Sequence, residues 1–230
     1  MAQAAVEAKF ITFEGLDGCG KSTQMEKLAK ALRAEGIDVL TTREPGGTEI
    51  GERIRKLLLD SRTAGLDPWA EMALMFASRA QLIAEVIEPA LDAGKWVLCD
   101  RYTDSTEAYQ GGGRKLRSRP VLQMHKVLFD GWWPDLTILM DSDVAYSVQR
   151  ARRRNKVAGR KKAPDENRFE RENKAFFTRV HKAYLKIAAR EQHRVVMVDA
   201  RPPIAEVHRE IVKVVRERLM AGGKTRVLAQ

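Results

Sequence analysis

The sequence predicts an α/β protein: a five-stranded parallel sheet with helices on both faces and a basic lid. Three observations predict it. Five short apolar runs alternate with segments of helical periodicity. The first run leads directly into a glycine-rich loop and then a helix. No repeat, low-complexity tract or long linker interrupts the 230 residues, so one domain is expected over 1–230.

Phe10, Ile11 and Phe13 mark the first strand, and Thr23 to Arg33 reads as the first helix. Gly36 ends that helix, and Ile37 to Thr42 is the second strand. Arg43 to Thr48 is a turn, and Ile50, Ile54, Leu57 and Leu58 put one apolar stripe on a helix from Thr48 to Leu59. A long helix is expected from Pro68 to Ala93, kinked or divided near Pro89. Lys95 to Asp100 is the third strand, Asp104 to Gln110 a short helix, and Gly111 to Gly113 a loop. A helix over Val121 to Asp130 precedes the fourth strand, Asp135 to Asp141. Val144 to Arg154 is helical and enters a lid at about 150–166; Asn167 to Gln192 reads as one long helix. Arg194 to Asp199 is the last strand, Ile204 to Met220 the last helix, and 221–230 a loose tail.

Gly15, Gly18, Gly20, Lys21 and Ser22 fit the spacing G-x-x-x-x-G-K-[ST] between a strand and a helix, which is the context a P-loop requires. Glycines let backbone N–H groups wrap a phosphate chain, and the helix N-terminus adds partial positive charge. Gly15, Leu16, Asp17, Gly18, Cys19, Gly20, Lys21, Ser22 and Thr23 are therefore the expected nucleoside triphosphate cradle. A solvent-facing Lys21 would reach the β- and γ-phosphates of ATP, and the Ser22 hydroxyl would ligate Mg²⁺. Ligands of such sheets bind beyond the carboxyl ends of the strands, where Glu14, Arg43, Asp100 and Asp141 also fall.

The net charge is +10, but eight basic residues and no acid lie between Arg150 and Lys162, so the rest of the chain is nearly neutral. Charge focused in one segment suits a small polyanion better than a nucleic-acid groove. Two cysteines make no disulfide framework, no apolar run reaches membrane-spanning length, and the first residues carry no apolar signal core. A cytoplasmic location without membrane or nucleic-acid partners is expected. Cys19 is a reactive thiol at a helix N-terminus or a small filler, and the four histidines lack metal-ligand spacing.

A P-loop alone does not separate a kinase from an ATPase or a switch. Phe10-Ile-Thr-Phe-Glu-Gly-Leu-Asp-Gly-Cys-Gly-Lys-Ser-Thr23, Thr42-Arg-Glu-Pro-Gly-Gly-Thr48, Phe76-Ala-Ser-Arg79, Cys99-Asp-Arg-Tyr-Thr-Asp-Ser-Thr-Glu-Ala-Tyr-Gln-Gly111, Pro134-Asp-Leu-Thr-Ile-Leu-Met-Asp141 and Asn167-Arg-Phe-Glu170 together closely resemble the thymidylate kinase family, in its order, over about residues 9 to 215. The resemblance implies a nucleoside monophosphate kinase fold and transfer of the ATP γ-phosphoryl to dTMP, with Mg²⁺, commonly in a homodimer formed by helices beside the acceptor site. By residue matching it implies that Phe76 stacks on thymine, Arg79 bonds its carbonyl edge, and Thr106 and Gln110 face the base. Tyr109 would lie against the deoxyribose C2′; Arg55 and Arg101, assisted by Arg43, would hold the dTMP phosphate; and Asp17 would contact the 3′-hydroxyl. Asp100 would hold the Mg²⁺ hydration shell.

The family places its transition-state cation either in the phosphate loop or in the lid. Gly18 and the arginine-rich lid resemble the second, bacterial layout, implying catalytic roles for Lys21, Arg101, Arg150 and Arg154. The segment Asn155 to Asp165 is longer and more basic than the family's usual lid, which leaves Arg152, Arg153 and Arg160 as alternatives to Arg154. Outside enzymes, a P-loop switch or a nucleic-acid module using the basic lid is the competing reading; the acceptor block from Asp100 to Gly111 argues against a switch.

Overall fold

The computed structural model describes residues 7–63, 65–159 and 168–220, without the side chains of 154–159 and 170. Five parallel strands, β1 (Phe10–Glu14), β2 (Val39–Arg43), β3 (Trp96–Asp100), β4 (Leu136–Asp141) and β5 (Val195–Asp199), lie in the order β2-β3-β1-β4-β5. The central strand β1 pairs Phe13 with Asp100 of β3 and with Ile138 of β4. All five of its residues are buried, as expected of a strand covered on both faces.

On one face, Ile11 and Phe13 pack with Leu98 and Ile138 against Leu28 and Leu32 of α1 (Lys21–Ala34) and Val207 and Ile211 of α9 (Ile204–Val215). On the other, Phe10, Val97 and Cys99 meet Leu82, Ile83 and Ile87 at the end of α3 (Pro68–Leu82) and beyond it. Leu139 and Val195 meet Phe176, Val180, Tyr184 and Ile187 of α8 (Lys174–Arg190). The remaining helices are α2 (Glu49–Leu59), α4 (Glu88–Asp92), α5 (Thr103–Thr106), α6 (Ser118–Phe129) and α7 (Val144–Gly159).

One expectation holds and two are corrected. The helix from Pro68 is divided ahead of Pro89, by a π-helical turn over Ile83–Ile87, because proline has no N–H to return to the preceding turn. Gly111 to Gly113 is no loop: Glu107–Gly113 continues α5 as a wide π-helical turn closed by Arg114 N–H to Tyr109 O at 2.8 Å. The segment before α8 is broken. Phe169–Arg171 forms a separate short turn, and the Asn173 side chain caps α8 by accepting the Phe176 N–H at 2.9 Å. The expected tail at 221–230 and the lid from 160 onward lie outside the described residues.

The π turn lies close against α8. A Cβ added at Gly113 would stand 2.5 Å from the Phe176 ring and 2.9 Å from Val180. Gly113→Ala should therefore cost about 1–3 kcal/mol by overpacking. Denaturant melts of the two proteins measure it; an unchanged midpoint would show that α8 gives way freely.

Candidate active site

Two clefts open at the carboxyl edge of the sheet and share Asp17, Glu44, Arg55 and Arg101. One continues over the phosphate loop, lined by Gly18, Gly20, Lys21, Ser22, Thr23, Arg43, Asp100 and Arg150. The other runs between α3 and the π turn, lined by Met75, Arg79, Tyr102, Ser105, Thr106, Tyr109, Gln110 and Phe169.

In the phosphate loop Gly18, at φ +85°, touches the backbone of α7: a Cβ there would fall 2.3 Å from Ser147 O and 2.9 Å from Ala151 N. Lys21 is buried and does not face solvent as expected. Its ammonium donates to the carbonyls of Gly15 at 3.1 Å and Leu16 at 3.0 Å, which leaves it one further donor. Gly15, Leu16 and Cys19 lie beneath the loop and do not line the cleft. Burial pushes the Cys19 thiol up, so it packs as a filler and is not an activated nucleophile. Ser22 donates to Asp100 Oδ2 at 2.7 Å, while Asp100 Oδ1 is buried without a hydrogen-bond partner.

Arg101 follows β3 with a left-handed backbone, φ 78°, uncommon for a residue with a Cβ. Its N–H donates to Phe13 O at 2.9 Å, which draws the chain across the end of β1. The guanidinium donates to Asp17 at 2.7 Å, Ser105 Oγ at 2.9 Å, and the hydroxyls of Tyr184 and Tyr109 at 3.3 Å each. Tyr109 OH in turn donates to Asp17 at 3.1 Å. Arg55 reaches Pro45 O at 3.0 Å, and Arg43 is held at 3.0 Å by Glu52.

Arg79 is 2% exposed, donates to Glu44 at 2.8 Å and to Thr106 Oγ1 at 3.0 Å, and keeps Nη1 buried without a partner. Gln110 is held through its amide nitrogen by Glu71 at 2.7 Å. The same carboxylate, fully buried on α3, also takes Arg114 and Arg168, the residue before Phe169.

Apart from the three residues beneath the loop, the expected members converge, with two further exceptions. Phe76 is 1% exposed and points into a cluster with Met72 and Val121, so it does not line the cleft. Met75, one residue earlier and one helical turn before Arg79, lines it instead. Arg154 lies on the described length of α7, but its side chain is outside the description; Arg150 lines the phosphate cleft. Arg152 and Arg153 line a separate groove with Lys174. Phe169 is a functional residue the sequence reading misses, because a single helix over Asn167 to Gln192 hides the short turn that carries it; its edge-on contact with Tyr109, 5.8 Å between centroids, closes the second cleft. Met75 and Glu44 had a readable signal: the i, i+4 relation to Arg79, and an acid in the turn after β2.

The thymidylate kinase family model matches residues 13–211. The chain is 50% identical over 193 residues to a thymidylate kinase of Solidesulfovibrio magneticus, covering 84% of this chain and 91% of that one. It is 47% identical over 211 residues to a thymidylate kinase of Trichlorobacter lovleyi, covering 91% and 98%. The crystal structure of thymidylate kinase from Ehrlichia chaffeensis is similar with a TM-score of 0.71 and 33% identity, covering 91% of this chain and 98% of that chain. With these matches over most of its length, and two adjoining clefts at the carboxyl edge of the sheet, the chain belongs to the thymidylate kinase family, the kinases that phosphorylate dTMP to dTDP.

Proposed function

We propose that the two clefts divide the reaction between them, within one domain: ATP lies along the phosphate loop, dTMP fills the cleft between α3 and the π turn, and the γ-phosphoryl passes between them beside Arg101. The observation that supports this reading is the wall shared by the two clefts, Asp17, Glu44, Arg55 and Arg101, whose two arginines are suited to grip phosphates approaching from either side. Catalysis is by positioning and electrostatics, without a covalent enzyme intermediate.

Lys21 spends its remaining donor on the transferred phosphate, and Arg150, with or without Arg154, supplies the lid cation over the equatorial oxygens. Ser22 and Asp100 would hold Mg²⁺: a hydroxyl and a carboxylate with one buried unpaired oxygen are a donor set suited to a hard cation and its waters. The ion supplies charge neutralisation on the β- and γ-oxygens.

In the acceptor cleft, the unpartnered Arg79 Nη1 meets a thymine carbonyl, with Thr106 and Gln110 beside it. Met75 provides the apolar contact to the base, and Phe76 supports Arg79 from behind, its ring centroid 5.0 Å from the guanidinium carbon. Tyr109, fixed by Asp17 and Phe169, faces the sugar, and Asp17 takes the 3′-hydroxyl.

The enzyme works as a homodimer in the cytoplasm. Among the described residues no helix is long and apolar enough to cross a membrane. Ile50 and Leu57 of α2, Trp69 of α3, and Val127 and Leu128 of α6, three helices packed side by side by the acceptor cleft, leave large apolar side chains exposed, Val127 at 82%. The basic lid serves ATP and not a nucleic acid, so oligonucleotides should bind weakly and with no sequence preference.

Lys21→Ala should leave a folded protein with turnover below about a tenth of wild type at saturating ATP, because no other group in the loop replaces its charge. Arg150→Ala should lower kcat roughly a hundredfold with a much smaller change in KM for dTMP, the pattern of a contact made in the transition state. Unchanged kcat would move that role to Arg154.

Acceptor choice tests the second cleft. Loss of the thymine methyl, in dUMP, should cost about tenfold to two-hundredfold in kcat/KM. Ribothymidylate should lose about a hundredfold, because its extra hydroxyl displaces the sugar against Tyr109. Tyr109→Ala should narrow that second gap. Met75→Ala should raise KM for dTMP in a protein of nearly unchanged stability, whereas Phe76→Ala should cost about 3–5 kcal/mol of folding free energy. Steady-state kinetics with dTMP, dUMP, ribothymidylate, dCMP and AMP decide it; a preference for AMP or dCMP would falsify the acceptor assignment.

A further inference from the structure

Glu14, the last residue of β1, is fully buried and touches neither cleft. Its Oε1 accepts two backbone N–H groups, Tyr102 at 2.7 Å and Ser105 at 3.2 Å. Its Oε2 accepts two hydroxyls, Ser105 Oγ and Tyr184 OH, the latter at 2.9 Å. Those same two oxygens accept from Arg101 Nη1, at 2.9 and 3.3 Å. A chain of hydrogen bonds therefore runs from the buried carboxyl, through two hydroxyls, to an arginine in the wall shared by both clefts.

We propose that Glu14 is a positioning residue for the acceptor phosphate, its ionised carboxylate setting the direction of the Ser105 and Tyr184 hydroxyls and thereby the seating of Arg101. A carboxylate only accepts, so both hydroxyls can aim their hydrogens at Oε2 and leave lone pairs for Nη1. A protonated carboxyl has a hydrogen to donate. Oε1 is occupied by two N–H groups, so that hydrogen sits on Oε2 and points at one hydroxyl oxygen, whose own hydrogen turns to the other hydroxyl, 2.9 Å away. Arg101 keeps both oxygens as acceptors, but they are turned and no longer polarised by a carboxylate charge, so its seat is weaker. This inference rests on the role proposed above for Arg101 and adds what holds that arginine in place.

The site is poised to change state. Burial, and then the negative charge of Asp104, raise the Glu14 carboxyl to about 7, while Arg101 and the Ser105 hydroxyl pull it down. Arg194, which grips Asp104 through both carboxylate oxygens, Tyr184 from α8, Tyr102 after β3 and the buried Cys99 thiol are further titratable and charged residues beside it.

Glu14→Gln separates this relay from simple electrostatics. The glutamine oxygen keeps the two backbone bonds, and its NH₂, placed at Oε2, donates to the hydroxyls and reverses them, imitating the protonated state at every pH. Removing a buried negative charge near the phosphate would by Coulomb's law alone tighten dTMP binding. The relay requires the opposite.

The test is calorimetric binding of dTMP and of thymidine, which has no phosphate, to wild type, Glu14→Gln, Tyr184→Phe and Arg101→Lys between pH 6 and 8. In Glu14→Gln, dTMP affinity should fall about tenfold at pH 8, the scale of one hydrogen bond to a charged group, with thymidine and ATP affinities unmoved. Wild-type dTMP affinity should fall as pH drops through about 7, beyond the decline Glu14→Gln shows from titration of the dTMP phosphate itself. Tyr184→Phe, which keeps the buried ring, should show a smaller loss in the same direction.

Stability gives an independent check on the titration. A folded-state carboxyl raised above its ordinary value binds its proton more tightly folded than unfolded. Wild-type stability relative to Glu14→Gln should therefore decline as pH rises from the ordinary glutamate range through about 7. Unchanged or tighter dTMP binding in Glu14→Gln, or equal losses for dTMP and thymidine, would overturn the relay. Were Arg101→Lys to bind dTMP normally while Glu14→Gln did not, the role of Arg101 itself would fall and the relay with it.

Discussion

The placement of Arg101 is the constraint on which the site depends. It occupies a left-handed conformation at the end of β3, and such positions cost about 1–3 kcal/mol and persist only where the surroundings over-determine them. Here they do. The N–H is tied to β1, the guanidinium to Asp17 from the phosphate loop, to Ser105 from α5, to Tyr109 from the π turn and to Tyr184 from α8. Five separate pieces of chain are thus referenced to one cation. The two clefts keep a fixed relation because they are built around the same group.

Buried polar pairs surround it at the rim of an apolar core. Arg79 with Glu44, Arg194 with Asp104, and Glu71 with Arg168 are all nearly or fully removed from water, and Arg114 joins Glu71 from the partly buried side. Such pairs offset their own desolvation and add little to stability. What they add here is definition. Glu44 fixes the edge from which Arg79 presents its free nitrogen, and Glu71 turns the Gln110 amide and anchors the chain that carries Phe169. The acceptor cleft is shaped less by residues that line it than by acids standing behind them.

The sheet and the phosphate loop were legible from residue patterns because both follow local rules: apolar runs of strand length, and glycines at fixed offsets before a helix. The acceptor cleft was legible in composition but not in orientation. Met75 and Phe76 both stand within reach of Arg79 on a helix, and only the packing of α6 against α3 decides that Phe76 is core. Lys21 read as exposed because a lysine normally is; the carbonyls that bury it are turned inward by the loop itself. The π turns were hidden for a related reason. Three successive glycines signal a loop, and only the close approach of α8 shows them to be spacers in a helix. Glu14 stood out at a strand end, yet its partners come from residues about ninety and one hundred and seventy positions away, and no spacing rule reaches so far.

The contact between Gly18 and the backbone of α7 has a bearing on how the family's two layouts can be exchanged. In this chain the loop and the helix are already at van der Waals limit, with a carbonyl where a side chain would begin. An arginine arriving at position 18 by mutation would find no volume in which to start, whatever advantage its charge might bring. Any side chain at position 18 therefore needs a shift of the α7 backbone as well as the substitution itself.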